Sequence, residues 1–200
     1  MSIKTATLST LLLLSIFACR ETATSDPTTA SAVKGDYLQA VIEIPAGTNH
    51  KIEYDYESEQ FLNDQIDGKD RVINFLPYPG NYGFIPSTLM DKERGGDGDA
   101  LDILVIGESV PTGTIMQVIP IGALMLRDRQ EIDTKIIAIP ADPLKQIIKA
   151  DDFMTFALRY DAARRIIEDW FQNYKGAEGV EILRWEDEQY ALQEVEKWKK

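Results

Sequence analysis

Residues 115–139 read IMQVIPIGALMLRDRQEIDTKIIAI. Two apolar runs, Ile115–Leu126 and Thr134–Ile139, flank a polar turn that carries Asp128 and Asp133. Runs of this length, rich in Ile and Leu and joined by a short polar stretch, predict two paired strands. Working upstream, Leu101–Ile106 is a shorter apolar run, and Val41-Ile42-Glu43-Ile44 ends at Pro45. Lys51–Tyr56 and Arg71–Phe75 alternate polar with apolar residues, as half-buried strands do. Pro77, Pro79, Gly80, Gly95-Gly96, Pro111, Gly113 and Pro140 punctuate these segments.

Downstream the period changes. Phe156, Tyr160, Ala163, Ile166, Ile167, Trp170, Phe171 and Tyr174 recur at helical spacing, with charged residues between them. Gly176 is a suitable stop for that helix. A shorter helix is expected from about Glu186 to Trp198, before the terminal lysines. Short strands first and helices last predict an α+β domain, a closed or nearly closed β-barrel with helices packed outside.

Of the 200 residues, 44% are hydrophobic and 27% charged, which suits a globular domain with a proper core. The 33 acidic residues outnumber the 21 basic ones, and the net charge of −12 argues against nucleic acid as a partner. One His and one Cys exclude a Cys/His zinc site and an internal disulfide, and His50 lies in a polar stretch that offers no ordinary Cys–His pair. Carboxylates, Lys, Arg and Tyr are therefore left to carry any chemistry.

The sharpest cluster is Asp97-Gly98-Asp99-Ala100-Leu101-Asp102, at the mouth of a predicted strand. Three carboxylates in six residues repel one another unless a cation sits among them, and hard divalent cations prefer oxygen ligands. Spacing alone leaves an acidic surface loop equally open. An EF-hand is rejected, since counting from Asp97 puts Asp102 where the sharp turn needs Gly. Asp128 and Asp133, followed by Lys135, form a second acidic group that could be a plain hairpin turn. Glu43 points opposite to Ile42 and Ile44 on its strand and could face solvent.

Residues 1–18 read as an export signal, with Lys4 in front of an apolar stretch from Leu8 to Ala18. The stretch is too short to cross a bilayer as a helix. Ile16-Phe17-Ala18-Cys19 resembles a bacterial lipobox, which implies cleavage before Cys19 and a lipid on its sulfur. Residues 19–36 are then expected to be the lipidated Cys and a flexible tether, because their Thr, Ser and Ala bury little. These features predict a periplasm-facing protein of a bacterial cell envelope, held to the membrane only by its lipid. The residue after Cys19 is not Asp, which leans toward the outer membrane.

Val41-Ile42-Glu43-Ile44-Pro45, Lys51-Ile52-Glu53, Tyr78-Pro79-Gly80-Asn81-Tyr82-Gly83-Phe84-Ile85-Pro86 and the Asp97–Asp102 run stand in one order. With Asp128, Asp133, Lys135 and Tyr174-Lys175, this series resembles the soluble family I inorganic pyrophosphatases over residues 37–200. The resemblance implies a five-stranded OB-type barrel with flanking C-terminal helices, hydrolysing pyrophosphate to two phosphates at a site holding several Mg²⁺ ions. It implies Mn²⁺ as a possible substitute and Ca²⁺ as an inhibitor. It assigns Asp97, Asp102, Asp128, Asp133 and, through water, Glu43 to metal. Asp99 would be the base beside the attacking water, with Tyr82 and Lys135 also catalytic. Lys51, Arg71, Tyr82, Lys135, Tyr174 and Lys175 would grip the phosphates, and Glu53 would support the carboxylate cluster from behind. A homo-oligomer, hexamer or dimer, is a further implication. Two departures stand out: the Arg71–Asn81 spacing is one residue shorter than the family's, and Asp91–Gly96 is longer. A different metal-dependent phosphohydrolase and a catalytically silent metal-binding module remain as rival readings.

Overall fold

The computed structural model describes residues 26–129, 131–176 and 179–200. In chain order the strands are β1 (Val33–Lys34), β2 (Tyr37–Ile44), β3 (Ile52–Asp55), β4 (Gln60–Asn63), β5 (Gln65–Ile66), β6 (Lys69–Asp70), β7 (Asn81–Phe84), β8 (Asp102–Val105), β9 (Ile115–Asp128) and β10 (Glu131–Pro140). Helices α1 (Phe153–Arg159) and α2 (Asp161–Asn173) follow, then β11 (Glu181–Glu186) and α3 (Glu188–Trp198).

Five strands close into a ring. β2 pairs with β7, β7 with β8, β10 with β9, and β9 with β2, all antiparallel, while β8 and β10 pair in parallel. β1 extends the ring beside β2, and β11 beside β9. The strands read as continuous apolar runs because both of their faces are covered. Ile103, Val105, Ile136 and Ala138 feed one core with Ala191, Val195 and Trp198 of α3. Their neighbours Leu104, Ile106, Ile137 and Ile139 feed the other, with Phe156, Ile167, Trp170 and Phe171 of α1 and α2. The period of two along each strand thus sorts one sequence into two cores. Gly83 is required where β7 meets β2, since a Cβ there would lie 1.9 Å from the Val41 carbonyl oxygen.

Several expectations are corrected. Arg71–Phe75 forms no strand; only Val72 makes a bridge, to His50. Its backbone is used by irregular neighbours instead, Lys51 N–H donating to Arg71 O and Ile73 N–H to Asn49 O. The alternation had a packing cause, as Ile73 is buried and Val72 exposed. The long helix is two helices, broken at Tyr160 (φ −123°), whose hydroxyl accepts a hydrogen bond from Lys149 N–H. Ile166, placed on the apolar face, is 60% exposed. β1, β4, β5, β6, β7 and β11 were not foreseen. The segment expected as a tether is folded from Asp26 onward. A short 3-10 turn at Pro27–Thr29 leads to β1, Ala32 is buried, and Ser87 bonds to the carbonyls of Thr28 and Ala30. Small residues bury little area, but here backbone pairing holds them.

The signal segment and Cys19 lie outside the described residues. Among the described residues no helix is long and apolar enough to cross a membrane.

Candidate active site

At one end of the ring, the strands present their polar residues to a common cavity of ≈ 280 Å³. Asp133 and Lys135 are two apart on β10 and so share a face. Parallel pairing sets Ile103 opposite Ile136, which brings Asp102, the first residue of β8, beside Lys135. Lys135 is only 4% exposed, bonds to Asp102 Oδ2, and lies 2.5 Å from Asp133 Oδ1. Asp128 closes β9 and pairs with Lys175, just beyond α2. Tyr82 of β7 lies beneath two ammonium groups, with Lys51 Nζ 5.6 Å and Lys135 Nζ 5.7 Å from its ring centre.

The Asp97–Asp99 loop is tied locally. Asp97 Oδ1 accepts from Asp99 N–H at 2.9 Å, while Met90 and the loop exchange backbone bonds through Asp99 O and Gly98 N–H. Gly98 adopts φ +94°, a conformation that L side chains rarely reach. The longer loop before it forms a 3-10 turn capped by Asp91, and Arg94 stacks on Trp198 of α3 at 4.9 Å.

All but one of the expected site residues line this cavity: Lys51, Glu53, Arg71, Tyr82, Asp97, Asp99, Asp102, Asp128, Asp133, Lys135, Tyr174 and Lys175. Arg71 arrives despite its shortened spacing, held by Asp64 at 3.0 Å. Glu43 lines the adjoining cavity, which shares Lys51, Glu53, Asp99 and Asp102. It is 8% exposed rather than solvent-facing, and its Oε1 accepts from Tyr54 N–H at 2.8 Å. Sequence reasoning missed Glu131, which lines the main cavity, and Tyr54 and Tyr56 beside Glu43. Glu131 was legible as a third acid in the Asp128–Asp133 turn; the two tyrosines carried no signal. Asp64 was equally silent, since only folding places it beside Arg71.

The electrostatics follow from crowding. Seven carboxylates and four Lys or Arg side chains line the main cavity. Burial, then neighbouring carboxylates, raises the pKa of Asp97 and Asp99; Asp133 is also raised by burial, against the pull of Lys135. Burial raises Glu43 to about 7, partly offset by Lys51. Burial opposes the charge on Lys135, yet Asp102 and Asp133 hold its pKa well above the ordinary value. The same balance acts on Lys51, with Tyr78 and Glu53 outweighing burial. Burial also raises Tyr82 and Tyr174, so both remain hydroxyl donors.

An oxygen-only donor set in negative excess fits hard divalent cations. Among the described residues, no three acidic groups already converge as a ligand set. The reason is visible in the ion pairs: Lys135 stands between Asp102 and Asp133, and Lys175 is on Asp128.

The sequence profile of the inorganic pyrophosphatase family matches residues 40–200. The chain is 37% identical over 167 residues to the inorganic pyrophosphatase of Aquifex pyrophilus, covering 80% of this chain and 86% of that one. It is 35% identical over 170 residues to that of Saccharolobus solfataricus, covering 81% and 90%. Among solved structures, the inorganic pyrophosphatase of Neisseria gonorrhoeae superposes with a TM-score of 0.70 at 29% identity, covering 87% of this chain and 96% of that one. That of Coxiella burnetii gives 0.66 at 30% identity, covering 84% and 97%. With a profile match over most of its length and relatives above 30% identity along nearly their whole chains, this protein belongs to the inorganic pyrophosphatase family.

Proposed function

We propose that the chain hydrolyses inorganic pyrophosphate to two phosphates. The observation that carries this reading is the convergence of acids, cations and phenols from six separate stretches of sequence on one cavity, in a chain of this family. Lys51, Arg71, Lys135 and Lys175 supply positive charge for the phosphate oxygens, and Tyr82 and Tyr174 donate from phenols kept protonated by burial. Asp99 would be the base, since it lines both adjoining cavities beside the carboxylate cluster, within the space an attacking water would occupy. Glu53 holds Lys51 at 2.9 Å and orients it. Asp97, Asp102, Asp128, Asp133 and, less directly, Glu43 would hold Mg²⁺, which when bound would offset the carboxylates' charge for a polyanion and lower the pKa of a bound water. Mn²⁺ should substitute and Ca²⁺ inhibit. The ring supports an OB-type barrel reading, because its strands follow the order first, second, third, fifth, fourth and back to first, with a single parallel pair.

The test is phosphate release from pyrophosphate by residues 20–200, with Mg²⁺, with chelator, and in Asp99→Asn. Release that needs Mg²⁺ and falls by about 10²–10⁴ in the variant is expected for loss of a general base. A folded protein releasing nothing with any divalent metal would leave a binding module; release from other phosphoanhydrides alone would leave a different phosphohydrolase.

For its address, we propose export and lipidation at Cys19, supported by the Ile16–Cys19 lipobox resemblance. The outer membrane is favoured, a scavenging role in phosphate supply fits that address, and a homo-oligomer is expected. Detergent phase partition checks the anchor: Cys19→Ala should move the protein to the aqueous phase, and no difference would sink the proposal. Sedimentation of the mature chain would give the oligomeric state, and a monomer would remove that expectation.

A further inference from the structure

Hydrogen bonds tie the loop of Asp97, Asp99 and Asp102 to the segment from Ile85 to Met90. Met90 N–H donates to Asp99 O and Gly98 N–H to Met90 O, both at 2.7 Å, and Ile85 N–H donates to Leu101 O at 2.8 Å. A further bond differs in kind: Leu101 N–H donates to the Thr88 hydroxyl at 2.9 Å. The chain turns just before Thr88, at Ser87, which holds φ +54°, a region that non-glycine residues seldom adopt. Beyond the turn the Thr88 backbone bridges to Lys199, and Leu89 N–H donates to Trp198 O. The backbone is thus engaged with the C-terminal residues, while the side chain meets the acidic loop. Thr88 is 2% exposed, and its hydroxyl proton goes to Ile85 O at 2.6 Å, which leaves the oxygen to accept from Leu101. Leu101 is fully buried and stands two residues after Asp99 and one before Asp102.

We propose that Thr88 is a positioning residue for this site: its hydroxyl fixes the Leu101 amide and, through it, the separation and aim of the Asp99 and Asp102 carboxylates. The inference rests on the pyrophosphatase reading of the main cavity. Carboxylates this close repel one another, so a loop free to move would spread them apart before a cation arrived. The bonds to Ile85, Thr88 and Met90 hold the backbone against that spreading. Without the hydroxyl the buried Leu101 N–H loses its acceptor, and backbone movement is the way to relieve that cost. Asp102 follows Leu101 by a single peptide, so the movement passes directly to a carboxylate. Displacements of about 1 Å at a reacting centre are enough to slow catalysis severely.

The experiment compares wild type, Thr88→Val and Thr88→Ser in the mature chain, reading Mg²⁺ binding by calorimetry and pyrophosphate hydrolysis by steady-state kinetics. Thr88→Val keeps the shape and removes the hydroxyl. It should weaken Mg²⁺ binding and lower kcat, each by about 10–100-fold, the range for groups that orient metal ligands. KM for pyrophosphate at saturating Mg²⁺ should change less than kcat. Thr88→Ser keeps the hydroxyl and should recover most of both losses. Val195→Ala, a truncation on α3 in the same core as Leu101, should destabilise the protein and leave both readings near wild type. The proposal is overturned if folded Thr88→Val matches wild type, or if Thr88→Ser or Val195→Ala loses as much as Thr88→Val. Amide hydrogen exchange in wild type gives a check that needs no variant. Mg²⁺ should slow exchange at Leu101 and Met90 together, by about tenfold or more, since a cation on the loop favours its clamped state. Exchange at Leu101 that ignores Mg²⁺ in an active enzyme would also overturn it. A wild type that does not hydrolyse pyrophosphate withdraws the reading beneath the proposal and the proposal with it, whereas an active wild type with an unaffected Thr88→Val removes Thr88 alone.

Discussion

Glu43 shows how burial turns a carboxylate into a reporter. Its folded pKa of about 7 stands above the ordinary 4.5 because burial penalises the anion more than Lys51 favours it. Between these values the folded protein binds more proton than the unfolded one, so stability must fall as pH rises across the window. Asp97, Asp99 and Asp133 are shifted in the same direction and act with it. In chelator, stability should therefore decline from about pH 4.5 to 7, Glu43 alone contributing roughly 3 kcal/mol. Denaturant unfolding across that range checks it: Glu43→Gln should flatten the curve, and an unaltered slope would rule out Glu43 as a source. Mg²⁺ should raise stability and reduce this decline, since a ligand of the folded state alone stabilises it.

Among the elements, α2 links core to chemistry through Trp170. Its indole stacks on Tyr174 at 4.8 Å and 12°, lies 4.5 Å from the Tyr78 ring, and donates to Leu76 O at 2.8 Å. Tyr174 lines the main cavity, so the helix face that fills the core also orients a phenol toward substrate. Trp170→Ala should cost about 3–5 kcal/mol, the range for removing a buried aromatic. It should also raise KM for pyrophosphate, because Tyr174 loses the surface that fixes it. Thermal melts and kinetics at a temperature where the variant is still folded separate the two effects. A destabilised variant with an unchanged KM would confine Trp170 to packing.

Across the whole molecule, both ends of the described chain meet at Ser87. Its N–H donates to Thr28 O, its hydroxyl to Ala30 O, and its carbonyl accepts from Lys200 N–H. Asp26 adds a bond from the Tyr54 hydroxyl at 3.1 Å, while the Tyr54 amide holds Glu43. A chain beginning at Tyr37 should therefore lose several hydrogen bonds worth about 1 kcal/mol each, lowering the Tm by on the order of 5–10 °C. Calorimetry of chains starting at Arg20 and at Tyr37 tests this. Equal melting temperatures would make the segment from Asp26 to Asp36 a passive leader.

Local pattern determined the coarse order, strands first and helices last, while the roles of the site residues came from the resemblance carried by the motif series from Glu43 to Lys175. Apolar runs, turn residues and the Asp97–Asp102 spacing are encoded within a few neighbours, and the physics acting on them is local. Residue type and spacing marked the carboxylates but left an acidic surface loop equally open, because solvated carboxylates need no bound cation. Tertiary structure decided what depends on partners far along the chain. Glu43 is buried because Tyr54 and Lys51 cover a strand face that periodicity could not tell from a solvated one. Arg71–Phe75 failed to become a strand because irregular backbone claimed its hydrogen bonds. The helix broke at Tyr160, whose hydroxyl takes its hydrogen bond from Lys149, and the segment from Asp26 docked through backbone groups that composition does not register. Ring closure between β2 and β9, and the adjoining cavities from Glu43 to Lys175, join residues many positions apart, and only the folded chain brings such groups within reach.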